Sequence, residues 1–339
     1  MSKRIVAICD SDTSYLEKLL DYLDDQRPLP FEVCGFTDID KLRNFCKVRE
    51  EEISLLVIAE SSLETDVERL TENLLVLNEG RGSMEDRAES VNKYQQVREI
   101  YKAIMATFLE TEGEISKITM PKQGARLIGF YSPVKRAMQT TFALELGKSL
   151  AKRNKVLYIS FENYVGWSGL LCREGGRDLT DLLYYLKEED ERFVYRLRLV
   201  EQRIGSLNYI PPAYAGHNLI YVTMKEWMKL LEKVKTLGGY DFILLDLSDS
   251  LQGIFDILRM CERIFTVTLP DGPAQNKLKQ YEHLLKAYEY EDVLSKSKNT
   301  QVPEFEIIPD ETENWTKGAW REFLRRIERE DLGIEEHDL

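Results

Sequence analysis

A short loop between a predicted strand and a predicted helix carries the residues best suited to bind an anion. It reads Ser132-Pro-Val-Lys-Arg-Ala-Met-Gln-Thr-Thr141, and its polar members are Ser132, Lys135, Arg136, Gln139, Thr140 and Thr141. An apolar strand over 126–131 precedes the loop, and a helix over about 140–153 follows it. Backbone N–H groups and the dipole at a helix N-terminus favour negative charge. The segment therefore predicts an anion-binding loop.

A carboxylate at the end of another apolar strand is the second candidate. Asp246 directly follows the run from Phe242 to Leu245. Ligands of open parallel sheets bind outside the carboxyl ends of the strands, which is where this side chain is expected.

Alternation of strands and helices must position these residues. In the first part of the chain, apolar strands are predicted near 5–8, 31–36, 53–59 and 74–77, with an amphipathic helix around 97–108. This alternation implies parallel sheets with helices on both faces, hence an α/β fold. A length of 339 residues suits two domains. We predict a first domain over 1–112, a polar linker over 113–124 and a second domain over 125–339.

Composition limits the function classes. The formal net charge of -13 disfavours non-specific binding to nucleic acid. From Lys117 to Lys155 the balance is reversed, since Glu145 is the one acid among nine lysines and arginines, although a solvated face explains this as well. No apolar run suits a membrane span, and the N-terminus has no signal-peptide pattern, so we expect a cytoplasmic protein. The five cysteines and three histidines show no metal-ligand spacing.

Residues 1–112 resemble the receiver domain of response regulators. In that family, acids after the first strand hold Mg²⁺ and an Asp at the end of the third strand accepts phosphate. Asp10 and Asp12 match the acidic cluster in part, and turn or N-cap chemistry explains them equally well. Ala59 stands at the acceptor position, with Glu60 next to it, and Lys93 is a weak match to the receiver lysine. The resemblance implies a pseudo-receiver that docks or dimerises.

Residues 125–330 resemble the ParA/MinD group of P-loop ATPases, and within it the CpaE/TadZ-like proteins of Tad (Flp) pilus systems. The order and spacing of the segments FENYVG (161–166), DLTDLLYYLK (178–187), GGYDFILLDLSDSLQ (238–252) and IFTVTLPDGPAQNKLKQY (264–281) carry the resemblance. The receiver-like domain before it adds weight, because that pairing is characteristic of these proteins. The fold implied is flavodoxin-like for the first domain and P-loop α/β for the second.

The loop departs from the family pattern S-x-K-G-G-x-G-K-T-T at its glycines. Lys135, Arg136 and Met138 stand at those positions, and their Cβ atoms and bulk oppose the left-handed backbone that closes on phosphates.

The loop also lacks both lysines of the family. Gln139 replaces the lysine that reaches the β- and γ-phosphates, and Val134 replaces the signature lysine that crosses a dimer interface. Thr140 and Asp246 match the residues that support Mg²⁺ when nucleotide is bound. Ser248 stands where many relatives have Gly, and no Asn that would contact adenine is evident. Hydrolysis is expected to be lost, and Asp246 can be a relic that caps a loop.

Two helical segments allow a surface role besides core packing. Trp320, Phe323, Leu324 and Ile327 follow helical spacing among basic residues, which fits a membrane-targeting helix or, more simply, packing against the sheet. The predicted helix over 191–204 is a candidate interaction surface or part of the core.

These observations leave three functions open. The first is a non-catalytic, homodimeric scaffold or localisation factor that recruits a pilus or secretion ATPase. The second is a slow ATPase that binds ATP with Mg²⁺ and uses Lys135 or Arg136 as a substitute cation. The third is a ParA-like, DNA-associated partitioning protein, against which the net charge argues.

Overall fold

The computed structural model describes residues 4–26, 29–49, 53–64, 67, 70–71, 73–80, 89–111, 124–164, 176–187, 193–303 and 318–334. The chain divides into two compact units, Met1–Thr119 and Met120–Leu339. The predicted linker lies outside the described residues except for Gly124, so the domain boundaries placed at 112 and 125 stay a prediction.

Strands and helices alternate along the first unit. Its described elements are β1 (Ile5–Cys9), α1 (Thr13–Asp25), β2 (Glu32–Phe36), α2 (Ile39–Arg49), β3 (Ile53–Ala59), a 3₁₀ turn (Glu60–Ser62), β4 (Leu74–Asn78), β5 (Glu89–Asn92) and α3 (Val97–Thr111). The strands pair in parallel in the order β2-β1-β3-β4-β5. Parallel pairing brings the carboxyl ends of all these strands to one edge of the sheet.

Apolar composition explains why β1 and β3 lie at the centre of this sheet. Every residue of β1 is buried, and β3 is buried apart from partly covered Ser54. Strands covered on both faces are typically apolar throughout.

At the start of α1, the Asp12 carboxylate accepts the backbone N–H of Tyr15 at 3.0 Å, so Asp12 is an N-cap.

The second unit is built around a larger sheet. Its described elements are β6 (Arg126–Tyr131), α4 (Gln139–Leu150), β7 (Val156–Ser160), α5 (Leu179–Lys187), α6 (Phe193–Val200), β8 (Gln202–Ile204), β9 (Leu207–Ile210), a 3₁₀ helix (Gly216–Tyr221), α7 (Met224–Leu237), β10 (Phe242–Asp246), α8 (Ile254–Met260), β11 (Arg263–Val267), α9 (Gly272–Ala287), α10 (Glu291–Lys296), β12 (Ser297–Thr300) and α11 (Ala319–Leu332). The strand order is β12-β11-β6-β10-β7-β9-β8, parallel except for the pair β8–β9. The predicted α/β class is confirmed.

Helices cover both faces of this second sheet. Side chains of α4 and α11 form one core with alternate residues of the strands, including Phe242 and Leu244 of β10. Ile243 and Leu245 of β10 point to the other core, which α5 to α10 complete. The alternation follows from the two-residue repeat of a strand. Because β6 and β10 lie side by side at the centre, the predicted anion loop and Asp246 meet at one edge.

Small residues bring α4 close to the sheet. A Cβ atom placed on Gly147 would lie 3.0 Å from Leu244 Cδ1 and 3.1 Å from the Leu207 methyl groups. Ala143, one turn earlier, is fully buried. The close approach fixes the position of the start of α4 relative to β10, and hence the position of the loop that precedes it.

The predicted helix over 191–204 is shorter in the structure. Residues 193–200 are helical, and Gln202–Ile204 form strand β8 at the edge of the sheet. The apolar stripe of Phe193, Leu197 and Val200 is buried, so the core alternative holds for it. Helical periodicity alone did not reveal that Gly205 and Ser206 turn the chain back onto β9, with Gly205 at a φ of 58°.

Helix α11 packs on the protein with its aromatic face. Trp320, Phe323, Leu324 and Ile327 are buried in the core shared with α4, and the ring of Phe323 lies 5.0 Å from that of Phe142. The packing alternative therefore accounts for this face. The segment after Ile334 lies outside the described residues. Within the described part of the chain, we find no helix with the length and apolar character needed to cross a membrane.

The basic segment of the sequence does not form one surface among its described residues. Lys135 precedes α4, whereas Lys148 and Lys152 lie at its other end, roughly 15–20 Å away along the helix. Lys148 pairs with Glu145 at 2.9 Å and Lys135 with Asp249 at 3.0 Å.

Truncation of Phe323 tests the packing of α11. We expect Phe323→Ala to lower the free energy of unfolding by about 3–5 kcal/mol, because it removes a buried ring from an aromatic cluster. Urea unfolding followed by tryptophan fluorescence measures the change. The exposed neighbour substitution Arg321→Ala is the control and should change it by less than about 0.5 kcal/mol. Equal stability of the two variants would show that α11 is not part of the core.

Candidate nucleotide-binding site

The loop between β6 and α4 keeps a left-handed backbone without glycine. Lys135, Arg136 and Met138 have φ values of 65°, 51° and 61°. These are the three positions at which the family pattern has Gly. The side chains therefore oppose this conformation without preventing it. Each left-handed non-glycine residue costs about 1–2 kcal/mol, which the surrounding contacts must offset.

A buried hydroxyl holds the first half of the loop. Ser132 is 2% exposed, and its Oγ accepts the backbone N–H groups of Val134 and Lys135 at 3.3 and 3.2 Å. The side chain therefore takes up two N–H groups that an anion in the loop would otherwise receive. Ser132 stabilises the shape of the loop and reduces its capacity to donate to a ligand.

The carboxylate of Asp246 is the centre of the site. It is fully buried at the end of β10 and accepts hydrogen bonds on both oxygens. Gln139 Nε2 donates to Oδ1 at 2.6 Å, while Thr140 Oγ1 and Tyr158 OH donate to Oδ2 at 2.7 and 2.8 Å. Gln139 Nε2 also donates to the carbonyl of Leu247 at 3.0 Å. The amide of Gln139 thus occupies the space next to Asp246 where the family lysine is expected.

Burial and hydrogen bonding act in opposite directions on this carboxyl. Burial raises the pKa of Asp246, whereas the donors Thr140, Gln139 and Tyr158 lower it, as does the more distant charge of Lys135. Burial, together with the Asp246 charge, raises the pKa of Tyr158 well above its ordinary value, so the phenol remains a hydrogen-bond donor. Three neutral donors therefore solvate the carboxylate in place of a cation.

The residues present fit Mg²⁺ in part. Thr140 and Asp246 supply hydroxyl and carboxylate oxygens, which are the ligands Mg²⁺ prefers, and they lie within hydrogen-bond distance of each other. Both oxygens of Asp246 already accept hydrogen bonds, so a metal or its bound water would have to replace a donor. The roles of Thr140 and Asp246 towards a metal stay a prediction.

The remaining predicted site residues are dispersed around this centre. Arg136 is exposed, and Thr141 is buried in the first turn of α4. Lys135 Nζ lies 3.0 Å from Asp249 Oδ1, with 41% and 62% of the two side chains exposed. This ion pair links the loop before α4 to the loop after β10. Because both partners are solvated, it contributes at most about 1 kcal/mol to stability.

Two residues of the site were not identified from sequence. Tyr158 lies inside the apolar run of β7 and is buried like its neighbours, but its hydroxyl reaches Asp246. Glu162 follows β7 by two residues, at the edge where Asp246 ends β10. Its pKa is raised from 4.5 to about 7, mainly by burial and then by the charge of Asp246, with Lys135 opposing. A signal for Glu162 is its place, just after a strand that pairs with β10.

The first unit also brings polar residues together at the carboxyl edge of its sheet. Lys93 Nζ lies 2.8 Å from Asp10 Oδ2 and 2.8 Å from Glu79 Oε1. The match of Lys93 to the receiver lysine stays a prediction. Asp12 caps α1, and Glu60 Oε2 accepts the backbone N–H of Glu79 at 2.8 Å.

Comparison with known families identifies the first unit. Residues 2–109 match the family model described as TadZ-like, receiver domain, which is about a third of the chain. This match confirms the predicted resemblance for that part. No curated protein matches the chain.

Solved structures similar to this chain include a ParA family ATPase, a protein in complex with ATP and a cell division protein complex. A ParA family ATPase from Chlorobium tepidum TLS is 18% identical, with 53% of this chain and 85% of that chain covered and a TM-score of 0.43. The ATP complex of an McdA variant from Cyanothece is 17% identical, with coverages of 52% and 68% and a TM-score of 0.41. The MinC:MinD cell division protein complex of Aquifex aeolicus is 20% identical, with coverages of 49% and 65% and a TM-score of 0.37. At such identities and scores, function must be argued from this chain's own residues.

Glu162 gives the site a pH-dependent contribution to stability. A Glu in the unfolded chain releases its proton near pH 4.5, whereas folded Glu162 does so near pH 7. The folded state therefore loses stability as the pH rises between these values, and the loss persists above them. Glu162→Gln removes this dependence. We expect its melting temperature to match wild type near pH 4.5 and to exceed it at pH 8.

Melting curves from pH 4.5 to 8 by circular dichroism make this comparison. The substitution Glu232→Gln, at an exposed position on α7, is the matched control and should follow wild type throughout. Parallel curves for Glu162→Gln and wild type would contradict the assignment.

Proposed function

We propose, from the premise that the first unit is a TadZ-like receiver domain, that the whole chain is a non-catalytic scaffold or localisation factor of the CpaE/TadZ kind. In this proposal it acts as a homodimer and recruits protein partners of a pilus or secretion assembly. ATP hydrolysis is lost, and any nucleotide that binds does so as a structural ligand. The cytoplasm is the compartment in which such a factor would work.

The observation that supports this proposal is the neutral amide of Gln139, which stands where the family pattern has the catalytic lysine. Gln139 Nε2 lies 2.6 Å from Asp246 Oδ1 and is held by Leu247 as well, so it is part of a closed network. Phosphoryl transfer needs positive charge to stabilise the transferring group, and a cationic contact can be worth roughly 10³–10⁵ in rate. A neutral amide cannot supply this stabilisation.

The loop's own cations, Lys135 and Arg136, do not restore it. The ammonium of Lys135 is engaged with Asp249 at the surface, and the side chain of Arg136 is exposed. Either could reach a bound phosphate only by leaving its present position. We therefore expect Lys135 and Arg136 to contribute to phosphate binding, through a solvated contact, more than to catalysis.

The left-handed loop favours nucleotide binding as the second candidate function. The backbone of the loop is left-handed at Lys135, Arg136 and Met138, where phosphate loops of the family have glycine. Helix α4 begins directly after the loop. Helix N-termini of this kind attract phosphate groups. A slow ATPase that uses Lys135 or Arg136 as its cation is therefore the alternative to a pure scaffold. The separated basic residues give no comparable support to DNA binding.

Turnover and binding measurements separate these functions. We expect Mg·ATP hydrolysis by the purified protein at the background rate, because the neutral amide of Gln139 stands at the place of the catalytic lysine. A phosphate-release assay measures the rate, and calorimetric titration measures binding. Lys135→Ala and Arg136→Ala are the diagnostic variants, with Lys229→Ala on the exposed side of α7 as control. Turnover that disappears in either diagnostic variant would establish the slow ATPase and overturn the scaffold.

Restoring the missing lysine tests the reading of Gln139. In Gln139→Lys an ammonium would pair with Asp246 and point to the loop, so we expect ATP affinity to rise about tenfold. Gln139→Met is the control, since it keeps the length of the side chain without a donor. Calorimetric titration of both variants gives the comparison. An unchanged affinity in Gln139→Lys would show that the loop cannot receive phosphates.

A further inference from the structure

A buried ammonium in the first unit is bound by two carboxylates from different strands. Lys93 follows β5, Asp10 follows β1 and Glu79 follows β4, and the side chains of the three are 3%, 0% and 4% exposed. Tyr15 contributes its ring, whose centre lies 4.9 Å from Lys93 Nζ. Burial lowers the pKa of Lys93, but its hydrogen bonds to Asp10 and Glu79 and the charges of these two carboxylates together raise the pKa above its ordinary value, so Lys93 remains charged.

The geometry of the sheet explains how these groups meet. The strand order places β3 between β1 and β4, with β5 outside β4. Lys93 therefore reaches from β5 across the ends of β4 and β3 to Asp10. Ala59 ends β3 below this path and is fully buried.

Glu79 makes contacts typical of a bound oxyanion. Its Oε1 accepts hydrogen bonds from Lys93 Nζ at 2.8 Å and from Ser61 Oγ at 3.0 Å. Its own backbone N–H is fixed by Glu60 Oε2. A charged donor and a hydroxyl converging on one carboxylate oxygen form the kind of pocket that binds carboxylate or phosphate groups. Asp10 is held differently, since its Oδ1 also accepts the backbone N–H of Asp12 within a turn.

We propose that Glu79 is an intramolecular oxyanion that permanently occupies a binding pocket made by Lys93 and Ser61. The wild-type pocket has two carboxylates for one ammonium, so a further external anion is repelled. Removal of the Glu79 side chain leaves Lys93 paired with Asp10 and opens a site for a small external oxyanion, such as formate or phosphate. This proposal does not depend on the function proposed for the second unit.

Chemical rescue of Glu79→Ala in the full-length chain tests the proposal. All the tryptophans, Trp167, Trp227, Trp315 and Trp320, lie in the second unit. An unfolding transition seen by far-ultraviolet circular dichroism without a change in tryptophan fluorescence therefore belongs to the first unit. We expect Glu79→Ala to lower this melting temperature. Sodium formate should then raise this melting temperature in a saturable way. We expect an increase of about 5–10 °C at formate concentrations well above the dissociation constant of formate.

Three comparisons make the result specific. Sodium chloride at equal ionic strength controls for screening and should not reproduce the rescue. Wild type should gain no more from formate or phosphate than from chloride. Adding Lys93→Met to Glu79→Ala should abolish the rescue, because the donor is lost. The proposal is overturned if formate and chloride act equally on Glu79→Ala, or if wild type gains as much as the variant.

A second variant keeps the test decisive if Glu79→Ala does not fold. Glu79→Gln retains the volume of the side chain and removes only its charge, so it fills the pocket. We expect it to melt at least several degrees below wild type and to gain nothing from formate, because the vacancy is absent. A melting temperature equal to that of wild type would show that Lys93 does not need the anion, and would overturn the proposal.

Discussion

The second unit depends on the solvation of one buried carboxylate. A charge removed from water is tolerated only where hydrogen bonds replace the lost hydration. Asp246 obtains three of them, from the first two residues of α4 and from the middle of β7. The donors belong to the unit formed by β6, α4 and β7, whereas the acceptor ends β10. The carboxylate therefore fixes where α4 begins, and through it the course of the loop that any phosphate would meet.

A buried charge is also satisfied by groups of the protein at the carboxyl edge of the other sheet. There a buried cation, Lys93, is neutralised by side chains of the chain itself, as the buried anion Asp246 is solvated in the second unit. In both units the place at which a parallel sheet ordinarily presents a ligand site is filled by protein groups. Such internal satisfaction avoids the cost of an unpaired buried charge. It also removes the requirement for a ligand to complete the fold.

Sequence patterns were sufficient for the α/β class. The alternation of elements predicted two parallel sheets but not the strands β5, β8 and β12 at their edges, and the binding roles of the residues from Ser132 to Thr141 stay a prediction. The partners of those residues were not predictable. Tyr158 carries no local sign that its hydroxyl crosses from β7 to Asp246, since that contact depends on the order of strands. Glu79 was missed for the same reason. It follows β4, and it contacts Lys93, which follows β5, only because these two strands pair.

The left-handed backbone of the loop was not predictable for a different reason. Steric preference is a local cost of a few kcal/mol at most, and the packing of α4 against the sheet can exceed it. Side chains at Lys135, Arg136 and Met138 nevertheless have a lasting effect. They restrict the conformations open to the chain, whereas glycines would let it move between shapes. The loop of this chain therefore loses less conformational entropy when it folds than a glycine-rich loop of the same length would.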